Sequence, residues 1–64
     1  MESTDLYTKT IRAIDEDVKA LEEYILDGSP ADEVAYQKAA AERRGLLRAR
    51  GILEEKFRRA NSEE

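Results

Sequence analysis

The chain has 64 residues, no cysteine or histidine, charged and apolar fractions of 41% each, and a formal net charge of −4 at pH 7. This composition excludes disulfides and the usual sulfur and nitrogen ligands of a structural zinc, so stability must come from packed amphipathic helices, shared between chains. No apolar run approaches the roughly 20 residues of a membrane span and no secretory signal is recognisable, so we expect a soluble, cytoplasmic chain.

The first predicted helix spans about residues 4–27, with Ser3 as its N-cap. Its main apolar residues alternate spacings of four and three, which is a heptad seam that faces another helix: Tyr7, Ile11, Ile14, Val18, Leu21 and Ile25. A weaker stripe runs beside this seam: Leu6, Ala13, Ala20 and Tyr24. One partner helix cannot cover both, so the stripe either flanks a wide core face or forms a second interface.

The turn is predicted at residues 28–29. Gly28 suits the left-handed end of a helix, Ser29 an N-cap and Pro30 the first helical position. Asp32 can complete a capping box with Ser29. Because the connection is this short, the two helices must be antiparallel neighbours.

The second predicted helix spans about residues 30–60, followed by a frayed polar tail at 61–64. Its broad apolar face comprises Val34, Ala35, Ala39, Ala41, Gly45, Leu46, Ala49, Ile52, Leu53 and Phe57. The small residues at 41, 45 and 49 leave one side nearly bare, so another backbone can come close. Gly45 and Gly51 each cost about 1 kcal/mol of helix propensity, for which close packing is the favoured explanation and a local bend is the alternative.

The predicted turn sets the pairing between the helices. Residue numbers that sum to about 57 lie opposite one another, so Ile11 faces Leu46 and Val18 faces Ala39. In this register Tyr7 lies near Ala49 and Leu53, and residues 57–59 extend past the end of the first helix, available to a partner. Charge supports the pairing, since residues 1–28 carry eight acids and three bases whereas residues 38–59 carry eight bases and three acids.

The fold class is therefore all-α: an antiparallel two-helix hairpin with coiled-coil packing that assembles into a helical bundle or docks on a larger complex. We expect no enzyme, because the chain lacks histidine and cysteine and because adjacent acids such as Glu54 and Glu55 point apart on a helix. No cofactor, metal or small-molecule substrate is expected. Glu42 lies near the middle of the apolar face, where a register-setting ion pair, with Lys38 or between chains, is the favoured interpretation.

The predicted partner is protein. Tyr36, Arg43, Leu47 and Arg50 lie on a side turned away from the main face and have the composition of an interface. The full predicted partner-binding set is Leu6, Tyr24, Tyr36, Arg43, Leu47, Arg50, Phe57 and Arg58. The arginines spread around the second helix, which argues against direct nucleic-acid binding. The alternative functions are a small dimeric regulator that binds nucleic acid and a small inhibitor of a host protein.

Several short segments within residues 24–55 carry a resemblance: Ile25-Leu26-Asp27-Gly28-Ser29, Asp32, Tyr36, Gly45-Leu46 and Ile52-Leu53-Glu54. They resemble small helical-hairpin proteins encoded among the head and tail morphogenesis genes of tailed bacteriophages. The resemblance implies a non-enzymatic virion or assembly component, present in many copies and docked to capsid, portal or tail proteins. It would lie in the virion, or in the host cytoplasm before assembly.

Overall fold

The computed structural model describes the backbone of residues 2–62 and the side chains of residues 4–62. Two helices, α1 (Glu2–Leu26) and α2 (Glu33–Ser62), pack side by side, and this part of the chain contains no strand. Tyr7 near the start of α1 contacts Phe57 near the end of α2, so the helices run antiparallel. The predicted all-α hairpin is confirmed.

Both helices differ from their predicted bounds at the chain ends. α1 begins at Glu2, so Ser3 lies inside the helix instead of capping it. α2 continues through Asn61 and Ser62, which were predicted to fray. The Asn61 side-chain amide donates a hydrogen bond to the Phe57 carbonyl, four residues earlier in the helix, at 2.9 Å. The rest of the predicted tail, residues 63–64, lies outside the described residues.

Gly28 ends α1 as the sequence predicts. Its φ of +73° is in the left-handed region, which glycine adopts without steric cost. The Gly28 amide donates to the Ile25 carbonyl at 3.1 Å, and the Ser29 amide donates to the Tyr24 carbonyl at 3.2 Å. This pair of hydrogen bonds is the Schellman motif, which satisfies carbonyls that a helix end otherwise leaves free.

The predicted start of α2 is wrong by three residues. Asp32 caps the helix instead of Ser29: its Oδ1 accepts a hydrogen bond from the Ala35 amide at 2.9 Å, and its carbonyl accepts one from the Tyr36 amide at 3.0 Å. Aspartate caps a helix as well as serine does, and the Ser29 amide is already bonded to the end of α1. The connection therefore occupies residues 27–32.

The heptad seam of α1 is confirmed, because all six of its residues are shielded at least in part. On α2, the covered strip is narrower than the predicted broad face. Of the ten residues of that face, five are covered at least in part, namely Ala35, Ala39, Leu46, Leu53 and Phe57, whereas Val34, Ala41, Gly45, Ala49 and Ile52 are exposed. A single partner helix covers only a limited arc of its neighbour, which explains the difference.

The pairing register differs from the prediction by about two turns of α2. Tyr7 stacks on Phe57 with ring centroids 4.0 Å apart and an interplanar angle of 6°. The predicted opposition of Ile11 with Leu46 is displaced accordingly, as is that of Val18 with Ala39. One cause is the longer connection. The other is that helical side chains lean toward their own N-terminus, so the residues that meet lie further along each helix.

Candidate functional site

The contact between the helices leaves a groove on each side of the seam. The first, which we call the ion-paired side, is lined near the turn by Glu22, Ile25, Leu26, Tyr36, Ala40, Arg43 and Arg44. The second, which we call the open side, is lined near the turn by Leu21, Tyr24, Ala35, Lys38, Ala39 and Glu42, and near the chain ends by Leu6, Tyr7, Thr10, Leu53, Lys56 and Phe57. Tyr24 follows Leu6 by eighteen residues, or five full turns, so both ends of the open side share one face of α1.

Two interhelical salt bridges lie on the ion-paired side. Arg43 Nη2 lies 2.7 Å from Glu22 Oε2, and Arg43 Nε donates to the same oxygen at 2.8 Å. Arg50 donates two hydrogen bonds to Asp15, from Nε to Oδ1 at 2.6 Å and from Nη2 to Oδ2 at 3.3 Å. In each helix the paired residues are seven apart, so the two bridges repeat with the heptad.

Arg50 is the more extensively bonded of the two arginines. Its Nη1 also donates to Glu54 Oε2 at 2.7 Å, so one guanidinium joins α1 to the next turn of α2. The hydrogen bond from Arg50 holds the pKa of the Asp15 carboxyl below its ordinary value. The same bond raises the pKa of Arg50. Both groups therefore stay charged over a wide pH range and keep the helices joined.

The predicted outward orientation of Arg43 and Arg50 is wrong. Both guanidinium groups turn toward α1 and close the edge of the seam. The signal was present in the sequence, since acids at 15 and 22 and arginines at 43 and 50 share the heptad spacing. Only the shifted register brings these pairs together.

The other predicted surface residues do not form one patch. Tyr36 is exposed on the ion-paired side, and Leu47 lies on the same face of α2, seven residues after Ala40. Leu6 and Tyr24 are exposed on the opposite, open side. These four members of the predicted partner-binding set therefore do not share one surface, because the seam separates them. Whether any of them binds a partner stays a prediction.

The predicted free end at residues 57–59 is also absent. Phe57 is packed against Tyr7, because the register brings it level with the start of α1. Arg58 is exposed, and its guanidinium pairs with Glu55 in the preceding turn. Arg59 Nε lies 3.2 Å from the other oxygen of Glu55. Phe57 is therefore partly covered by its contact with Tyr7, whereas Arg58 stays at the surface.

The open side differs in character from the ion-paired side. The weaker stripe of α1 lies here, and all four of its residues are exposed, so it does not widen the core. Three exposed small residues of α2, Ala41, Gly45 and Ala49, lie on the same side, and a Cβ added to Gly45 would meet nothing within 4 Å. The close backbone approach predicted for Gly45 is therefore not made within the hairpin.

The central position predicted for Glu42 is wrong. Glu42 is exposed and lines the open side beside Lys38 and Tyr24. Among residues 4–62 it takes part in no salt bridge, and the interhelical pairs use Glu22 and Asp15 instead. Arg43 is partly covered at the ion-paired edge of the seam, whereas Glu42 lies exposed at its open edge.

The described residues contain no helix long and apolar enough to cross a membrane. Their acidic side chains form no group of three or more that could hold a metal ion. The hairpin has one flank that is closed by salt bridges and one flank on which small and apolar side chains lie beside Lys38, Glu42 and Lys56. Comparisons with protein-family models, with curated proteins and with solved structures found no match to the chain.

Proposed function

We propose that this protein is a non-catalytic assembly component that acts through helix-mediated contacts with other proteins. The observation that carries the proposal is the size of the core. Among the side chains of residues 4–62, only Val18 and Ala39 are buried, at 8% and 5% exposure. So small a core leaves little hydrophobic burial to offset the conformational entropy lost on folding. Further burial must come from another chain.

The exposed area supports the same conclusion. The accessible surface is 5189 Å², whereas a compact monomer of 7.3 kDa exposes about 4,200 Å². The excess is roughly 1,000 Å². A protein–protein interface of standard size buries about 800 Å² on each partner. The hairpin therefore carries an interface's worth of surface that a compact fold of its mass would cover.

The resemblance of residues 24–55 to phage morphogenesis hairpins suggests the setting, which is a tailed bacteriophage virion or its assembly intermediates. In that setting each hairpin would dock on capsid, portal or tail proteins in many symmetric copies. If the chain sediments with purified virions in a fixed stoichiometric ratio, that result would support this setting. Virions that lack the chain contradict it.

The test of the assembly role is the linkage between folding and association. Melting followed by circular dichroism across a thousandfold range of protein concentration should show a Tm that rises with concentration. Sedimentation equilibrium on the same samples should show a mass above that of one chain. A folded monomer with a constant Tm that also sediments with no protein partner would contradict the proposed function.

A further inference from the structure

The open side has the relief of a helix-packing surface. Its middle includes small exposed residues of both helices, Ala13 and Ala20 on α1 and Gly45 on α2, with the exposed Asp17 between the two alanines. Its ends carry larger exposed groups, among them Tyr24 near the turn and Leu6, 67% exposed, near the chain ends. Because the side chains in the middle are small and those at the ends are large, another pair of helices can approach to the usual interaxial distance of about 8–10 Å.

The distribution of charge between the two helices favours a partner with the complementary distribution. The α1 half carries an excess of five acids and residues 38–59 carry an excess of five bases. A second hairpin with the same imbalance is complementary to the first whenever α1 of one copy lies over α2 of the other. The chain is thus complementary to itself under a twofold axis, which is the commonest symmetry of soluble dimers.

Two face-to-face twofold arrangements are possible, and they differ in their electrostatics. With both turns at the same end, α1 of each copy lies over α2 of the other, and unlike charges oppose. With the turns at opposite ends, α1 lies over α1 and α2 over α2, and like charges oppose along the full length. Only the first arrangement repeats the pairing that the Asp15–Arg50 and Glu22–Arg43 bridges already make within one hairpin.

We propose that the open side binds a second copy of this chain, giving a four-helix bundle with both turns at the same end. In this bundle Ala20 lies level with Gly45 of the second copy, where only small side chains let the backbones approach. The surface excess of roughly 1,000 Å² per chain is enough for such an interface. The inference rests on the proposed function and specifies its first partner.

A matched pair of glycine variants tests which side is used. Gly45 lies on the open side, and Gly51 lies on the ion-paired side, seven residues after Arg44. A Cβ meets nothing within 4 Å at either position, and both glycines are inside α2, so glutamine should improve helix propensity equally at both. We expect Gly45→Gln to weaken the dimer at least tenfold in sedimentation equilibrium and Gly51→Gln to leave it within about twofold.

A distance measurement tests the arrangement. The chain has no cysteine, so Ser29→Cys places one spin label at the turn of each copy. With the turns at the same end, pulsed electron paramagnetic resonance should give a separation of about 20–25 Å, since neighbouring helix axes lie 8–10 Å apart. With the turns at opposite ends, the separation approaches the hairpin length of 49 Å.

The outcomes separate this inference from the function on which it rests. A short label distance together with a dimer sensitive at Gly45 supports the bundle. Association with a long distance, or with equal effects of the Gly45→Gln and Gly51→Gln variants, overturns the bundle and leaves an assembly role standing. A folded chain that stays monomeric at every concentration overturns the bundle, and it overturns the assembly role as well if the chain also sediments with no other protein.

Discussion

Two residues define the connection between the helices. Gly28 ends α1 in the left-handed conformation, and Asp32 caps α2 through the Ala35 amide. All the hydrogen bonds of the connection join residues that are close in sequence. The connection therefore depends on local chemistry and not on the packing of the helices.

The identity of the cap can be tested by replacing each candidate. Asp32→Ala removes the acceptor of the Ala35 amide and should lower the free energy of unfolding by about 1 kcal/mol. Ser29→Ala keeps the amide that bonds to Tyr24 and should cost only a few tenths of that amount. Urea denaturation at one fixed protein concentration measures both. Equal losses would mean that Ser29 shares the capping role.

The sequence predicts Gly28 correctly because few residues other than glycine occupy a positive φ at a helix end. It does not decide between Ser29 and Asp32, because serine and aspartate are nearly equal as N-caps. Asp32 is the N-cap in the structure, and the Ser29 amide instead bonds to the Tyr24 carbonyl at the end of α1. That competition becomes visible only when both helix ends are considered together.

At the scale of the helices, α2 meets α1 with an interrupted apolar strip. Leu46 and Leu53 are part of this strip, and Arg43 and Arg50 border it at alternating spacings of three and four. The aliphatic part of an arginine can cover apolar surface while the guanidinium reaches toward water. Here the guanidinium groups reach Glu22 and Asp15 instead, so each arginine contributes to both packing and pairing.

The Asp15–Arg50 bridge makes stability depend on pH. Because the pKa of Asp15 is lower in the folded chain, the bridge stabilises the hairpin above the ordinary value of 3.8. That contribution is lost as the pH falls below 3.8 and through the depressed pKa. Asp15→Asn should therefore lower the Tm by a few degrees at pH 7, and the difference from the unsubstituted chain should vanish in strong acid.

A matched control is Asp5→Asn. Asp5 pairs with Lys9 at 3.4 Å within α1, so its loss removes a carboxylate without touching the contact between the helices. We expect a smaller effect on the Tm at pH 7 than for Asp15→Asn. Equal effects of the two variants would show that net charge, rather than the interhelical bridge, governs the acid response.

The register could not be predicted from apolar spacing, because a shift of two turns still sets apolar residues opposite apolar residues. In the predicted register Arg43 lies level with Ile14 and Arg50 with Tyr7. The observed register moves the same arginines to Glu22 and Asp15. The salt bridges therefore distinguish the observed register from the predicted one, which apolar spacing alone does not.

At the scale of the whole molecule, the hairpin is long and thin. It measures 49 × 16 × 12 Å, and its radius of gyration of 14.9 Å exceeds the roughly 11 Å of a compact chain of this length. Such a shape has two broad flanks and almost no interior. The flanks are chemically different, so association through one of them should be distinguishable from association through the other.

One exposed tyrosine lies on each flank, so substituting them separately tests which flank takes part in self-association. Tyr24 is 39% exposed on the open side, and Tyr36 is 45% exposed on the ion-paired side. If the second copy binds the open side, Tyr24→Ala should weaken self-association about tenfold or more, whereas Tyr36→Ala should change it little. Analytical ultracentrifugation of the two variants decides between the sides. A larger effect of Tyr36→Ala would transfer the interface to the ion-paired side.

The local bonding of the turn has a kinetic consequence. The hydrogen bonds that reverse the chain join residues within 23–36, so the reversal can form before distant segments meet. Bringing chain segments together costs more entropy as the loop between them lengthens. We therefore expect the contacts between the helices to form first near Gly28 and then progressively further from it, with the Tyr7–Phe57 stack forming last. Folding should be fast, as it is for proteins dominated by short-range contacts.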